Sequence, residues 1–345
     1  MLEWKKLGEV ISVHTGSQLN RNDMLEQGVY PVINGGRTPS GYTSEPNEKS
    51  NSITISQGGE SAGFVNWMDC DFWAGAHCYV VECLDDTIKR YVFHFLKNSE
   101  YELMSSKQGA GIPGLNRKNL YKLVIPIPSL SEQTRIVGIL DTFTASIENL
   151  KQQIAQRCKQ YEHYSNNLLK YVEKKESIWK KLSELADIFK GPYITKKDSN
   201  EGEFPVIMGG QKVAYYIDRY NSEGESIVIS RSGINAGFVS FWNQPIFVSD
   251  GYRIDNKKMI NKKYLFYFLK NNEDIINSSK KGAGVPHIQS NYLLNFLILV
   301  PSLPEQQRIV SILDTFEASI ANLEQQLAQR ERQYEYYRNK LLTFE

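Results

Sequence analysis

Two stretches of the chain place apolar and aromatic side chains in unbroken 4-3 steps. The first runs Ile136, Leu140, Phe143, Ile147, Leu150, Ile154, Arg157, Tyr161, Tyr164 and Leu168. The second runs Ile309, Leu313, Phe316, Ile320, Leu323, Leu327, Arg330, Tyr334, Tyr337 and Leu341. A mean step of 3.5 residues is the spacing of a coiled-coil seam, here with one arginine in each copy. Ser129 with Glu132, and Ser302 with Glu305, have capping-box spacing at the two starts, and Pro304 is tolerated in a first turn. About 40 residues at 1.5 Å rise predict rods of roughly 60 Å. Elsewhere the pattern is short and strand-like. It predicts strands over Ser52–Ser56, Gly63–Trp67, Cys78–Glu82 and Leu123–Ile127, and a helix over Ile88–Lys97 with a counterpart at Lys262–Lys270.

The whole chain is written twice. Trp4-Lys-Lys-Leu7 recurs as Trp179-Lys-Lys-Leu182, Pro31-Val-Ile33 with Gly35-Gly36 as Pro205-Val-Ile207 with Gly209-Gly210, and Gly109-Ala-Gly-Ile-Pro113 as Gly282-Ala-Gly-Val-Pro286. The closest match pairs Pro128-Ser-Leu-Ser-Glu-Gln-Thr-Arg-Ile-Val-Gly-Ile-Leu-Asp-Thr-Phe143 with the segment from Pro301 to Phe316. A period this long is a duplicated domain, not a solenoid. The reading is α+β: two similar mixed α/β domains, 1–128 and 176–301, each followed by a long helix, 129–175 and 302–345. Helices with the same seam satisfy each other by packing together. If a pseudo-two-fold relates the copies, they form an antiparallel coiled coil with the heads at opposite ends. That reach exceeds one turn of B-DNA, about 34–36 Å, and suits a bipartite duplex target or, equally, a two-headed protein adaptor.

Composition adds little to this picture. The 345 residues are long enough for more than one core, and the formal charge of +1 leaves nucleic acid open, since bases can still gather in a few loops. No apolar run approaches membrane-spanning length, so a cytoplasmic protein is the default expectation. Cys70, Cys78 and Cys83 fall near His77, but the spacing fits no standard zinc pattern, and no metal site is expected. His14, His94 and His163 read as structural or exposed.

The P-S-L-x-E-Q-x-R-I-V-x-I-L-D motif ahead of a heptad helix, the G-A-G-I/V-P turn and the opening W-K-K-L resemble the specificity subunits of type I restriction-modification systems, twice over and across essentially the whole chain. The resemblance implies two target recognition domains that each read half of a split, asymmetric sequence in double-stranded DNA, with the helices as a ruler. It implies methylation subunits docked around those helices, and restriction subunits beyond them. S-adenosylmethionine, ATP and magnesium then belong to the partner subunits, with no cofactor in this chain. The residues agree with a non-catalytic role: there is no N-P-P-F/Y or D-P-P-Y motif and no phosphate loop, and nothing marks a nuclease site. Gly109-Ala-Gly111 is followed by Pro113 where a cofactor-loop helix would open, which favours a tight turn beside the DNA-facing surface.

Loop positions where the copies differ are candidates for base readout, and shared basic or glycine positions for phosphate contact or geometry. Arg37 and Thr38 stand against Gln211 and Lys212, and Gln57 against Arg231. Lys107 and Gln108 stand against Lys280 and Lys281, and Gly114 and Asn116 against His287 and Gln289. Arginine and glutamine make bidentate contacts to guanine and adenine edges. Arg117, Lys118, Lys196 and Lys197 are candidate phosphate ligands. The acidic row Glu317, Glu324, Glu331 reads as a solvated face or a partner contact. Arg157 and Arg330 either fix helix register or snorkel out of the seam. Arg231→Ala is predicted to weaken or relax recognition of one half-site only. Equal loss on every duplex in a binding assay would make Arg231 a phosphate contact instead.

Overall fold

The computed structural model describes residues 2–344 other than 85–88, 108–112, 171–176, 209–211 and 283. Packing divides the chain into two units. Unit 1 is Met1–Lys151 with Gln325–Glu345, and unit 2 is Gln152–Glu324. Each unit therefore takes one segment from each long helix.

In chain order, the first copy holds β1 (Glu3–Lys6), β2 (Ile11–Thr15), β3 (Tyr30–Ile33), β4 (Gly41–Thr43), β5 (Ser52–Ser56), β6 (Val65–Met68), β7 (Trp73–Ala74) and β8 (Cys78–Cys83). These are followed by α1 (Lys89–Asn98), α2 (Glu100–Ser105), α3 (Arg117–Lys122), β9 (Val124–Ile127) and the long α4 (Leu130–Lys170). The second copy repeats the order. It holds β10 (Ile178–Lys181), α5 (Leu182–Leu185), β11 (Ala186–Lys190), β12 (Phe204–Ile207), β13 (Tyr216–Ile217), β14 (Ser226–Ser230), β15 (Val239–Trp242), β16 (Phe247–Val248) and β17 (Gly251–Asn256). Then come α6 (Lys262–Asn271), α7 (Glu273–Ser278), α8 (Ser290–Leu294), β18 (Leu297–Val300) and the long α9 (Leu303–Thr343). The expected strands and shorter helices stand within a residue or two of their places, and the first long helix is described to Lys170; Ile88 and 171–175 lie outside the described residues.

Both units build the same sheets. A four-stranded antiparallel sheet has the order β2-β8-β5-β6, or β11-β17-β14-β15. A three-stranded sheet, β4-β3-β7 or β13-β12-β16, contains one parallel pair. A two-stranded ladder joins the first strand to the last, Glu3 to Ile127 and Ile178 to Val300, and closes each α/β section just before its long helix. Side chains alternate across the four-stranded sheet. Ile53, Ile55, Tyr79 and Val81 pack with Tyr91, Val92, Phe95 and Leu96 of α1. Cys78 and Val80 face the other way, onto Ile33 and Phe72. Burial pushes the Cys78 thiol up to about 12, which makes it a core group. Gly63 and Gly237 sit at φ +94° and +96°, where an added Cβ would lie 2.6 Å from the Met104 amide nitrogen and 2.8 Å from the Asn277 backbone. Only glycine lets these loops press onto α2 and α7.

The shared Gln after each helix-starting glutamate anchors the helix to its head. Gln306 is fully buried. Its Nε2 donates to the Pro301 carbonyl (2.8 Å), and its Oε1 accepts from the Asn261 amide (2.8 Å) at the start of α6. Gln133 likewise donates to Pro128 (3.0 Å). The expected capping box forms only by half. The Ser129 hydroxyl accepts from the Glu132 amide at 3.4 Å, while the Glu132 and Glu305 carboxylates are taken by Arg135 and Arg308 one turn on. A charge-assisted fork outcompetes a neutral backbone donor for the same oxygens.

The seam residues do meet. In unit 1, Phe143 stacks on Tyr337 (5.4 Å) and Lys151 pairs with Glu331 (3.6 Å), so one segment rises as the other falls and the helices run antiparallel. In unit 2, Tyr161 and Tyr164 pack on Phe316. The seam arginines take equivalent places, with the Arg330 guanidinium 5.6 Å from the Phe143 ring and that of Arg157 5.8 Å from Phe316. At the last turns the frame shifts. Tyr164 and Tyr337 are 48% and 41% exposed, whereas Ser165, Leu169 and Leu342 are buried. A straight helix drifts about 20° per heptad from a 3.5 repeat, and these turns face an α/β head as well as the partner helix. Leu342 belongs to the core of unit 1, and Leu169 to that of unit 2.

At the junction of head and rod in unit 1, Arg90 (2.8 Å) and His94 (2.7 Å) both reach Asp141, and the Tyr334 hydroxyl lies 3.4 Å from His94 Nδ1. Unit 2 builds the same junction from Lys263, Tyr267 and Asp314. There Glu317 also accepts from Tyr267 (3.0 Å), so this member of the acidic row is an internal contact. His94 is fully buried, and burial lowers its pKa below 6.5 against the pull of Asp141. Above that pH both folded and unfolded chains hold it neutral. Below it the unfolded chain takes a proton that the fold resists, so stability falls with acid. Between about pH 7 and pH 5 the urea midpoint of the chain is expected to fall, and His94→Tyr, which copies unit 2, is expected to flatten that slope. Identical pH profiles would show that the histidine is not the cause.

Candidate nucleic-acid interface

In unit 1 the candidate residues gather around the loop that follows β5. The Ser56 hydroxyl donates to the Gly35 carbonyl and so holds the Gly35-Gly36 turn against the strand end. Arg37, just beyond that turn, is exposed and places its guanidinium 5.6 Å from the Phe64 ring. Lys107 donates to the Glu60 carbonyl (3.1 Å). Gln57 accepts through its carbonyl from the Leu115 amide (2.7 Å), and Gly58 forms a β-bridge with Gly114. Arg117, in the first turn of α3, donates to Thr15 Oγ1 (3.2 Å) and lies 5.4 Å from the Tyr79 ring. Lys118 is exposed beside it, its amide capped by Asn116. Gln108 lies outside the described residues, as does the Gly109-Ala-Gly111 turn.

Unit 2 repeats the frame with different side chains. Arg231 is one residue past the last β14–β17 pair and donates Nη1 to Asp250 Oδ1 (2.7 Å). Asp250 also accepts from Ser232, which forms the β-bridge to His287 that Gly58 and Gly114 make in unit 1. Lys281 exchanges backbone hydrogen bonds with His287, and Lys280 donates to Asn277 Oδ1 (3.1 Å). Gln289 is exposed at the N-cap of α8, the place Asn116 holds before α3. Gln211 lies outside the described residues. Lys212, Lys196 and Lys197 are exposed. Among the described residues, then, the structure gathers Arg37, Gln57, Lys107, Arg117 and Lys118 in one unit, and Arg231, Lys280, Lys281, His287 and Gln289 in the other.

Several residues of these clusters escaped the pairwise comparison of loops. Tyr79 and Tyr252 occupy equivalent buried positions, and their hydroxyls donate to the carbonyls of Leu115 (3.2 Å) and Ile288 (3.0 Å). Asp250 holds Arg231, and Asp250 with the Tyr252 hydroxyl leaves the guanidinium more firmly charged than usual, against the opposing effect of burial. Thr15 and the exposed Lys190 stand in register with the two tyrosines. The signal for the tyrosines was present, since both copies keep them at the same offset. Asp250 faces His77 in the other copy, and nothing in spacing joins it to Arg231.

A basic, loop-built surface repeated on two α/β units and carrying different side chains defines a two-site reader. The model for the type I restriction modification DNA specificity domain matches residues 1–158 and again 175–332, and the chain belongs to that family. It is 30% identical to the EcoR124I/EcoR124II specificity subunit of Escherichia coli, over 99% of this chain and 94% of that one. It is 29% identical to a candidate type I specificity subunit of Haemophilus influenzae, over 99% and 96%. The crystal structure of a type I system S subunit from M. genitalium shares the fold, with a TM-score of 0.78 at 20% identity over 99% of this chain and 96% of that one. Replacing Lys280 and Lys281 with Ala is expected to weaken every duplex alike and to flatten the plot of log affinity against log salt by about 2. A change confined to particular sequences would instead make these lysines readers.

Proposed function

We propose that the chain is the non-catalytic, sequence-reading subunit of a type I restriction-modification complex. Each unit reads one half of a gapped, asymmetric duplex target, and the paired helices set the gap. Methylation subunits dock around the helices and supply S-adenosylmethionine chemistry, and restriction subunits supply ATP- and magnesium-dependent cleavage. One observation carries this reading: the same loop frame is built twice, with Gln57, Gly58 and Gly114 in one unit replaced by Arg231, Ser232 and His287 in the other. A scaffold kept constant while its polar lining changes is what reading two different half-sequences requires. A two-headed protein adaptor gains nothing from arginine and glutamine at those places.

The test is to sequence modified bases across the genome of a host that expresses this chain with its methylation subunits. Two short modified motifs at a fixed gap are expected, and they should disappear when the chain is omitted. A continuous motif, or no sequence-dependent modification, would defeat the reading.

A further inference from the structure

The frame around Tyr79 and Tyr252 is the same to the level of single hydrogen bonds. Each ring is 4% exposed and fixed through its hydroxyl to the first segment beyond the G-A-G turn. That segment in turn donates to the residue just past the strand, Leu115 to Gln57 and Ile288 to Arg231. On this common frame the arginines trade places. Unit 2 has Arg231 at the strand end and Ser290 at the start of α8, while unit 1 has Gln57 at the strand end and Arg117 at the start of α3. Both guanidiniums nevertheless have the equivalent tyrosine as a neighbour. Arg117 lies 5.4 Å from the Tyr79 ring, while Arg231, one residue beyond the last β14–β17 pair, has the Tyr252 hydroxyl as a hydrogen-bonding neighbour. Each is tethered by one polar neighbour, Thr15 or Asp250, with fork atoms engaged at 3.2 and 2.7 Å. Asp250 adopts φ +47°, a left-handed conformation that aspartate tolerates better than most residues, and it is braced by Ser232. Two arginines scattered as solvated surface charges would have no reason to replace one another at one point of a duplicated frame.

We infer that Arg117 and Arg231 are spatial counterparts, each reading a guanine in its own half-site through the planar guanidinium fork, with Thr15 and Asp250 as the residues that position them. The inference rests on the DNA-reading assignment above. It moves Arg117 from phosphate ligand to base reader. It also pairs it with Arg231, a partnership that position-by-position comparison of the copies conceals. A fork held by a neighbour is presented in one plane, and the O6 and N7 edge of guanine accepts two donors in one plane.

The experiment uses the complete complex with methylation subunits and a pool of duplexes randomised in both halves at the native gap. Bound and unbound pools are sequenced. The wild type is expected to prefer guanine at one position in each half. Arg117→Lys and Arg231→Lys keep the charge but lose the fork. Each should lower guanine preference by roughly 10- to 100-fold at one position of one half and leave the other half unchanged. Asp250→Asn should lose preference at the same position as Arg231→Lys and leave the other half unchanged. Arg117→Gln is a second variant of the same site and should move preference toward adenine. If the lysine variants keep the wild-type preference, or all variants lose affinity for every duplex alike, the two arginines are phosphate or structural contacts and the inference falls. A wild-type complex with no preference at any base would show instead that the DNA-reading assignment has failed.

Discussion

The core of the first unit is not complete until the last residues of the chain arrive. Leu342 is buried among Leu103, Leu120 and the α1 residues. Tyr334 reaches His94, and Arg338 donates to Asn98 (3.1 Å). The second unit is closed in the same way by the far end of the first long helix, where Leu169 is buried and Asn166 accepts from Asn271 (3.3 Å). A leucine deleted from such a position costs about 2–5 kcal/mol, so each helix end is an integral part of the core it enters. The antiparallel run of the helical segments in unit 1 brings the last turns of α9 to the head of that unit.

Duplication has been followed by divergence at defined points, and the junctions show how. His94 and Tyr267 fill the same place against Asp141 and Asp314, and Arg90 and Lys263 supply the matching cations. Only the second copy adds Glu317, where the first has Thr144. Burial raises the pKa of this carboxyl despite the hydroxyl of Tyr267. A protonatable group that the fold prefers uncharged becomes more costly as pH rises, the opposite sense to His94. The two junctions therefore share a geometry but carry opposite sensitivities to pH. Nothing in the shared motif foretells this, because both residues lie outside it.

Much of the architecture was legible because it is periodic or repeated. The seam positions from Ile136 to Tyr161, the strands around Ser52–Ser56 and the equivalence of the two halves follow from spacing alone. Two kinds of feature did not. Local competition decided the helix starts, where an arginine three residues on takes the carboxylate from the cap. Tertiary contact decided the helix ends, where the heads turn the buried stripe from Tyr164 and Tyr337 to Ser165, Leu169 and Leu342. The candidate interface was legible as a set of loops and was not legible as a set of contacts. Comparing position 57 with position 231 asks what replaced a residue in sequence, whereas recognition depends on what replaced it in space.

That distinction explains how one fold can be retargeted with few changes. The ring of Tyr79 or Tyr252 and the carbonyl it holds form a rigid corner that does not itself select a base. One arginine comes to this corner from a strand end, where Asp250 holds it, and the other from a helix start, where Thr15 holds it. If both arginines read guanine, moving the side chain between two places on a fixed frame changes the register of that guanine within the half-site, with little disturbance of the buried residues that hold the frame.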